Sequence, residues 1–284
     1  MNAAVSSESW VVTGPQIIEV EDVRALRVAL VGGRVDVVGR DEPGARIEVH
    51  RVSGRPLEVS LVDGELRVGY TFTLGGWEGW LERLLSWRSA DAADVHVAVP
   101  HDVVVRLGTV GAEGFIGDVA AGAQVATVSG AVVTDGTKGL VNLKSVSGDL
   151  VARGHIGDLR ANSVNGSVTA SGAFAQASVV TVSGAVVLDA ARAVGVSLQT
   201  VSGDATVRLP EGLGVTLAAR SVSGRVVVDG QARSGDGPLT GNVEVVTGDG
   251  SCRIQASTVS GHLTVLRSAP GAAGPQDVRQ EGTA

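Results

Sequence analysis

Residues 124–150, QVATVSGAVVTDGTKGLVNLKSVSGDL, contain two nearly identical turns, TVSG ending at Gly130 and SVSG ending at Gly148, eighteen residues apart. Working outward, the same tetrapeptide returns as SVNG at Gly166, TVSG at Gly184, TVSG at Gly203, SVSG at Gly224 and TVSG at Gly261. Successive spacings are 18, 18, 18, 19, 21 and 37. Self-similarity at a fixed short period marks a stacked repeat fold, in which each repeat buries its apolar face only against its neighbours. The gap of 37 reads as two laps, with a degenerate copy in GNVEVVTGDGSC.

Alignment on the motif glycine yields apolar columns. Val132, Leu150, Val168 and Val186 stand two places after it, and Thr134, Ala152, Ala170 and Leu188 four places after. Seven and five places before it come pairs such as Val141 and Leu143, or Leu159 and Ala161. This is the period of two that a strand requires. The valines two places before the glycine, from Val128 to Val259, are read as inward too, leaving the Ser/Thr and Ser/Asn positions as hydrogen-bonding ladders. The glycine itself is expected to supply a positive φ at a corner. The expected fold is all-β, a parallel β-solenoid (β-helix) of about 18-residue coils with an N-terminal β-region and one short amphipathic helix.

Composition agrees with a narrow core. Forty glycines among 284 residues are roughly twice the usual share of about 7%, while aromatic residues make up only 3%. Valine, alanine and leucine must fill the interior, as suits short side chains stacked on a pleated surface. The net charge of −7 and the lack of a Lys/Arg block argue against nucleic acid as a partner. Cys252 is the only cysteine, which excludes an internal disulfide and a multi-cysteine zinc site. The first residues show no basic segment followed by an apolar run, and no 18-residue apolar stretch occurs. A cytoplasmic protein is therefore expected.

The organisation reads as a disordered N-terminus (1–14), an N-terminal β-region (15–100), the repeat β-solenoid (101–268) and a disordered Pro/Gly-rich tail (269–284). Within the second unit, a helix near 77–88 places Trp77, Trp80, Leu81 and Leu84 on one face, with Trp87 close by. Such a helix would cover an open end or flank of the stack, or dock a partner. Membrane contact is not favoured, because Glu78 and Glu82 offset Arg83 and Arg88.

The turns TVSGAV, SVSGDL, SVNGSV, TVSGDA and SVSGRV over valine-rich laps resemble the DUF4097, or toastrack, family of adhesin-type bacterial β-repeat proteins, across residues 16–267. The resemblance implies surface or partner binding, and a setting beside envelope-stress and regulatory systems.

No catalytic signature emerges from the residues. His50, His96, His101, His155 and His262 form no ligand cluster, and no GxSxG elbow occurs. Asp149 and Asp204 share a column but lie three laps apart. At about 4.8 Å per lap that is about 14 Å, beyond the separation of paired glycosidase carboxylates. The glycines at 108, 111, 114 and 117 match neither a dinucleotide nor a phosphate-loop fingerprint. The sequence thus points to a non-catalytic binding or scaffolding protein without a cofactor or metal, whose partner is a protein or an envelope component. Self-assembly by end-to-end stacking and a carbohydrate-active β-helix enzyme are the alternatives.

Overall fold

A computed structural model describes residues 7–70, 91–233 and 241–268. Their 23 strands join one continuous hydrogen-bonded sheet, and among the described residues no helix occurs. The expected helix at 77–88 lies outside the described residues.

The eighteen-residue period is visible in the register. Val132 pairs with Leu150, Leu150 with Val168 and Val168 with Val186, all in parallel. Before each corner the matching rows run Val125 to Leu143, Leu143 to Ala161 and Ala161 to Val179. Each lap thus adds one strand to a first face, preceding the motif glycine, and one to a second face, following it. Side chains from both faces meet in a single core of Val, Leu, Ile and Ala, with Phe174 and Tyr70 the largest fully buried members.

The N-terminal β-region belongs to the same ladder. Ala25–Leu30 lies between Glu65–Gly69 and Val104–Thr109, parallel to both. Gly32–Arg40 lies likewise between Ala92–Pro100 and Glu113–Gly117. Antiparallel strands then cover that end, Leu57–Val62 on the first face and Ala45–Ser53 on the second. Ser7–Val12 adds to Leu57–Val62, so a strand occupies part of the stretch expected to be disordered. Val12 is buried and Trp10 packs against the core, enough apolar contact to order the segment.

Three expectations need correction. The first concerns the gap of 37. Gly241–Thr247 is no degenerate lap but an antiparallel strand beside Val215–Ser221. The chain then turns back, and Cys252–Thr258 inserts between Val186–Thr200 and Val215–Ser221, parallel to both. Leu263–Ser268 inserts in the same way between Ala205–Pro210 and Val226–Val228. The spatial order of corner glycines is therefore 184, 203, 261, 224.

The second concerns why glycine is needed. None of the motif glycines has a positive φ. Instead each has the preceding lap's backbone against it: a Cβ at Gly148 would fall 2.1 Å from the Gly130 carbonyl oxygen, and one at Gly184 would fall 2.0 Å from that of Gly166. Left-handed residues cluster at the opposite corner instead, where Asp118, Gly136 and Gly154 take φ of 55°, 61° and 58°.

The third reverses two columns. The strand alternation continues through the first residue of the motif, so Thr127, Ser145, Ser163, Thr181, Thr200, Thr258 and Ser221 are buried. Their hydroxyls close the corner: Thr127 Oγ1 donates to the Gly130 carbonyl at 2.9 Å, and the Gly261 amide donates to Thr258 Oγ1 at 2.9 Å. The valines that follow point outward, Val128 and Val146 half-buried and the rest exposed.

Candidate binding surface

Because the alternation places residues six, four and two places before the motif glycine on the outside, the first face carries three outward columns, the last of them valine. Val164, Val182, Val201, Val259 and Val222 follow one another along the stack, each between 41% and 59% exposed. Beside them run Asn165, Ser183, Ser202, Ser260 and Ser223, whose amides donate to carbonyls of the neighbouring valine row. Ser183 Oγ also donates to Asn165 Oδ1 at 2.7 Å. With backbone and hydroxyl groups occupied by the neighbouring laps, the solvent-facing ridge is chiefly apolar.

Among the described residues, two shallow hollows indent the outer surfaces. One, of about 380 Å³ on the second face, is lined by Arg34, Asp36, Glu113, Phe115 and Arg153. Its charges are largely engaged with one another, since Arg34 pairs with Asp36 at 2.9 Å and reaches Glu113 at 3.9 Å. The other, of about 340 Å³ on the first face, is lined by Ser197, Gln199, Arg220, Gln255 and Ser257 around Ala218.

The residues weighed for chemistry are scattered. Asp149 Oδ1 accepts from the Ser167 amide and Asp204 Oδ1 from the His262 amide, both at 2.8 Å, so each ties one lap to the next. His155 is fully buried beside Phe174, its ring centroid 6.0 Å away, and contacts Thr137 Oγ1 at 3.0 Å. Burial pushes its pKa down, against the opposing pull of the Asp158 and Thr137 carbonyls. His101 is held up instead, chiefly by the Asp118 carbonyl. His262 Nδ1 accepts from the Arg225 amide at 3.0 Å, and His50 is exposed. Among the described residues no group of three His, Cys, Asp or Glu is placed to hold a metal ion, and no helix is long and apolar enough to cross a membrane. Trp77, Trp80, Leu81, Leu84 and Trp87, the expected docking residues, lie outside the described residues.

An all-β ladder of glycine-cornered repeats, with an apolar outer ridge, defines the class. The Toastrack DUF4097 family model matches residues 117–266, more than half of the chain. The protein belongs to that family. Among curated proteins none matches the sequence. Similar solved structures include a putative cell adhesion protein from Clostridium sporogenes, 12% identical, with a TM-score of 0.30 over 93% of this chain and 100% of that one. A putative lipid binding protein from Parabacteroides distasonis is 12% identical, with a TM-score of 0.49 over 89% of this chain and 97% of that one. A putative adhesin from Bacteroides fragilis is 13% identical, with a TM-score of 0.42 over 93% and 98% of the two chains.

Proposed function

We propose that the ladder is a β-solenoid serving as a non-catalytic binding module, with the valine ridge as its contact surface for a protein or envelope component. The carrying observation is the unbroken run from Val164 through Val182, Val201 and Val259 to Val222, apolar side chains held in solvent by the fold itself. Contiguous exposed apolar surface on a soluble protein is a recognised mark of an interaction site. Replacing Val164 and Val182 together by Thr keeps shape and strand propensity while removing the apolar character. The variant should fold normally and lose the partner that crosslinks to the wild-type ridge in the native cell; undiminished crosslinking to a folded variant would contradict the proposal. The cytoplasmic location expected from the sequence is part of the same proposal, and cell fractionation checks it.

End-to-end stacking of copies is a second reading. It draws on Val11 and Val246, on the outermost first-face strands and 64% and 70% exposed. Concentration-dependent sedimentation would support it.

A further inference from the structure

The 340 Å³ hollow on the first face is within the range of small-ligand sites, which starts near 300 Å³. It is assembled from three strands remote in sequence: Val186–Thr200, the inserted Cys252–Thr258 and Val215–Ser221. In the outer column stand Ser197, Gln255 and Ala218; in the next stand Gln199, Ser257 and Arg220. Neighbouring strands lie about 4.8 Å apart, so these groups form a grid two columns wide and three laps long. Ala218 leaves the depression that its longer neighbours surround.

The chemistry of the lining is selective. It holds two carboxamides, two hydroxyls and one guanidinium and no aromatic ring, and the carboxylate that stands beside it, Glu244, is opposite Ala218 on the next strand, outside the lining. Carboxamides and hydroxyls both donate and accept, whereas guanidinium only donates and favours a bidentate carboxylate. Among the described residues none of these five side chains engages another protein group in a hydrogen bond or ion pair, unlike the charges of the Arg34 hollow. Val201, Val259 and Val222 stand two residues beyond Gln199, Ser257 and Arg220 on the same outward side, an apolar border against which the C–H edge of a sugar ring can lie.

We infer that this hollow is a binding site for an acidic saccharide, with hydroxyls of the sugar on the Ser/Gln grid and its carboxylate on Arg220. The inference goes beyond the partner-binding reading, because it names a second ligand class at the carboxy-terminal end of the same face.

The test uses the full chain on an array of immobilised oligosaccharides that includes oligogalacturonate, hyaluronan fragments and sialyllactose, with neutral cello- and galacto-oligosaccharides beside them. The hits are then titrated in solution by calorimetry. At least one acidic sugar should bind saturably and more tightly than every neutral one. Arg220→Gln should weaken it by tenfold or more, and Gln255→Ala by about threefold or more, both with wild-type circular dichroism and melting. No acidic sugar binding above the neutral set, or binding untouched by both folded variants, would overturn the inference. The Val164→Thr/Val182→Thr variant should retain sugar binding, so failure of the saccharide site and failure of the ridge are told apart.

Discussion

Gly166 lies so closely over Gly148 that a Cβ on the former would fall 2.0 Å from the carbonyl oxygen of the latter. No side chain fits between the laps there, and the obstacle is backbone, which cannot swing aside. Gly166→Ala should therefore lower stability by about 3 kcal/mol or more. Gly14, where such a Cβ would meet no atom of the described residues within 4 Å, should tolerate Ala with little change. Urea denaturation of both variants checks this.

The inverted columns give a paired prediction. Thr181→Val leaves the buried Gly184 amide without the hydroxyl that it meets at 3.1 Å, a loss of about 1–2 kcal/mol. Val182→Thr, one residue along and exposed, should change stability by less than about 0.5 kcal/mol. A larger loss at Val182 than at Thr181 would restore the inward valine column.

Thr134 points the other way. Its hydroxyl is fully buried with no hydrogen-bond partner among the described residues, in a column otherwise held by residues such as Ala152, Ala170 and Leu188. Thr134→Val keeps the shape and removes the unpaired group, so it should stabilise the protein by about 1 kcal/mol. Thermal melting reads the change.

The stack was legible in the sequence because TVSG returns on an eighteen-residue beat and the positions after it alternate strictly. The orientation of Val182 was not, since valine's usual preference for the interior points the wrong way here: the buried place goes to Thr181, whose hydroxyl meets the Gly184 amide. The insertion of the Gly261 lap was hidden as well. It occupies a rung of identical chemistry, so the columns look the same whichever order the laps take. The saccharide hollow was invisible for a related reason: Gln255 and Ser257 come to stand between Gln199 and Arg220 only through that insertion.

Buried His155 gives a pH dependence of definite sign. Its folded pKa lies below the ordinary 6.5, so below that value the unfolded chain takes up a proton that the native one refuses. Stability should fall as pH drops from 7 to 5, and His155→Asn should reduce the slope. His101, shifted upward, acts in the opposite sense in both proteins and cancels from the comparison.

Cys252 is fully buried, and desolvation pushes its thiol pKa up. Both effects suppress the reactive thiolate. A disulfide exchange reagent should label the native protein at least a hundredfold more slowly than the protein in denaturant.

The lap order is tested most directly by engineered disulfides. The Ser260 amide donates to the Val201 carbonyl and the Ser223 amide to that of Val259, both at 2.9 Å, so Ser202 and Ser260 stand on adjacent laps while Ser202 and Ser223 stand two laps apart. Adjacent laps place Cα atoms about 4.8 Å apart, within disulfide reach, and two laps separate them by about 10 Å, beyond it. Oxidation should crosslink Ser202→Cys/Ser260→Cys and leave Ser202→Cys/Ser223→Cys reduced. The reverse pattern would place the laps in simple chain order and contradict the threaded stack.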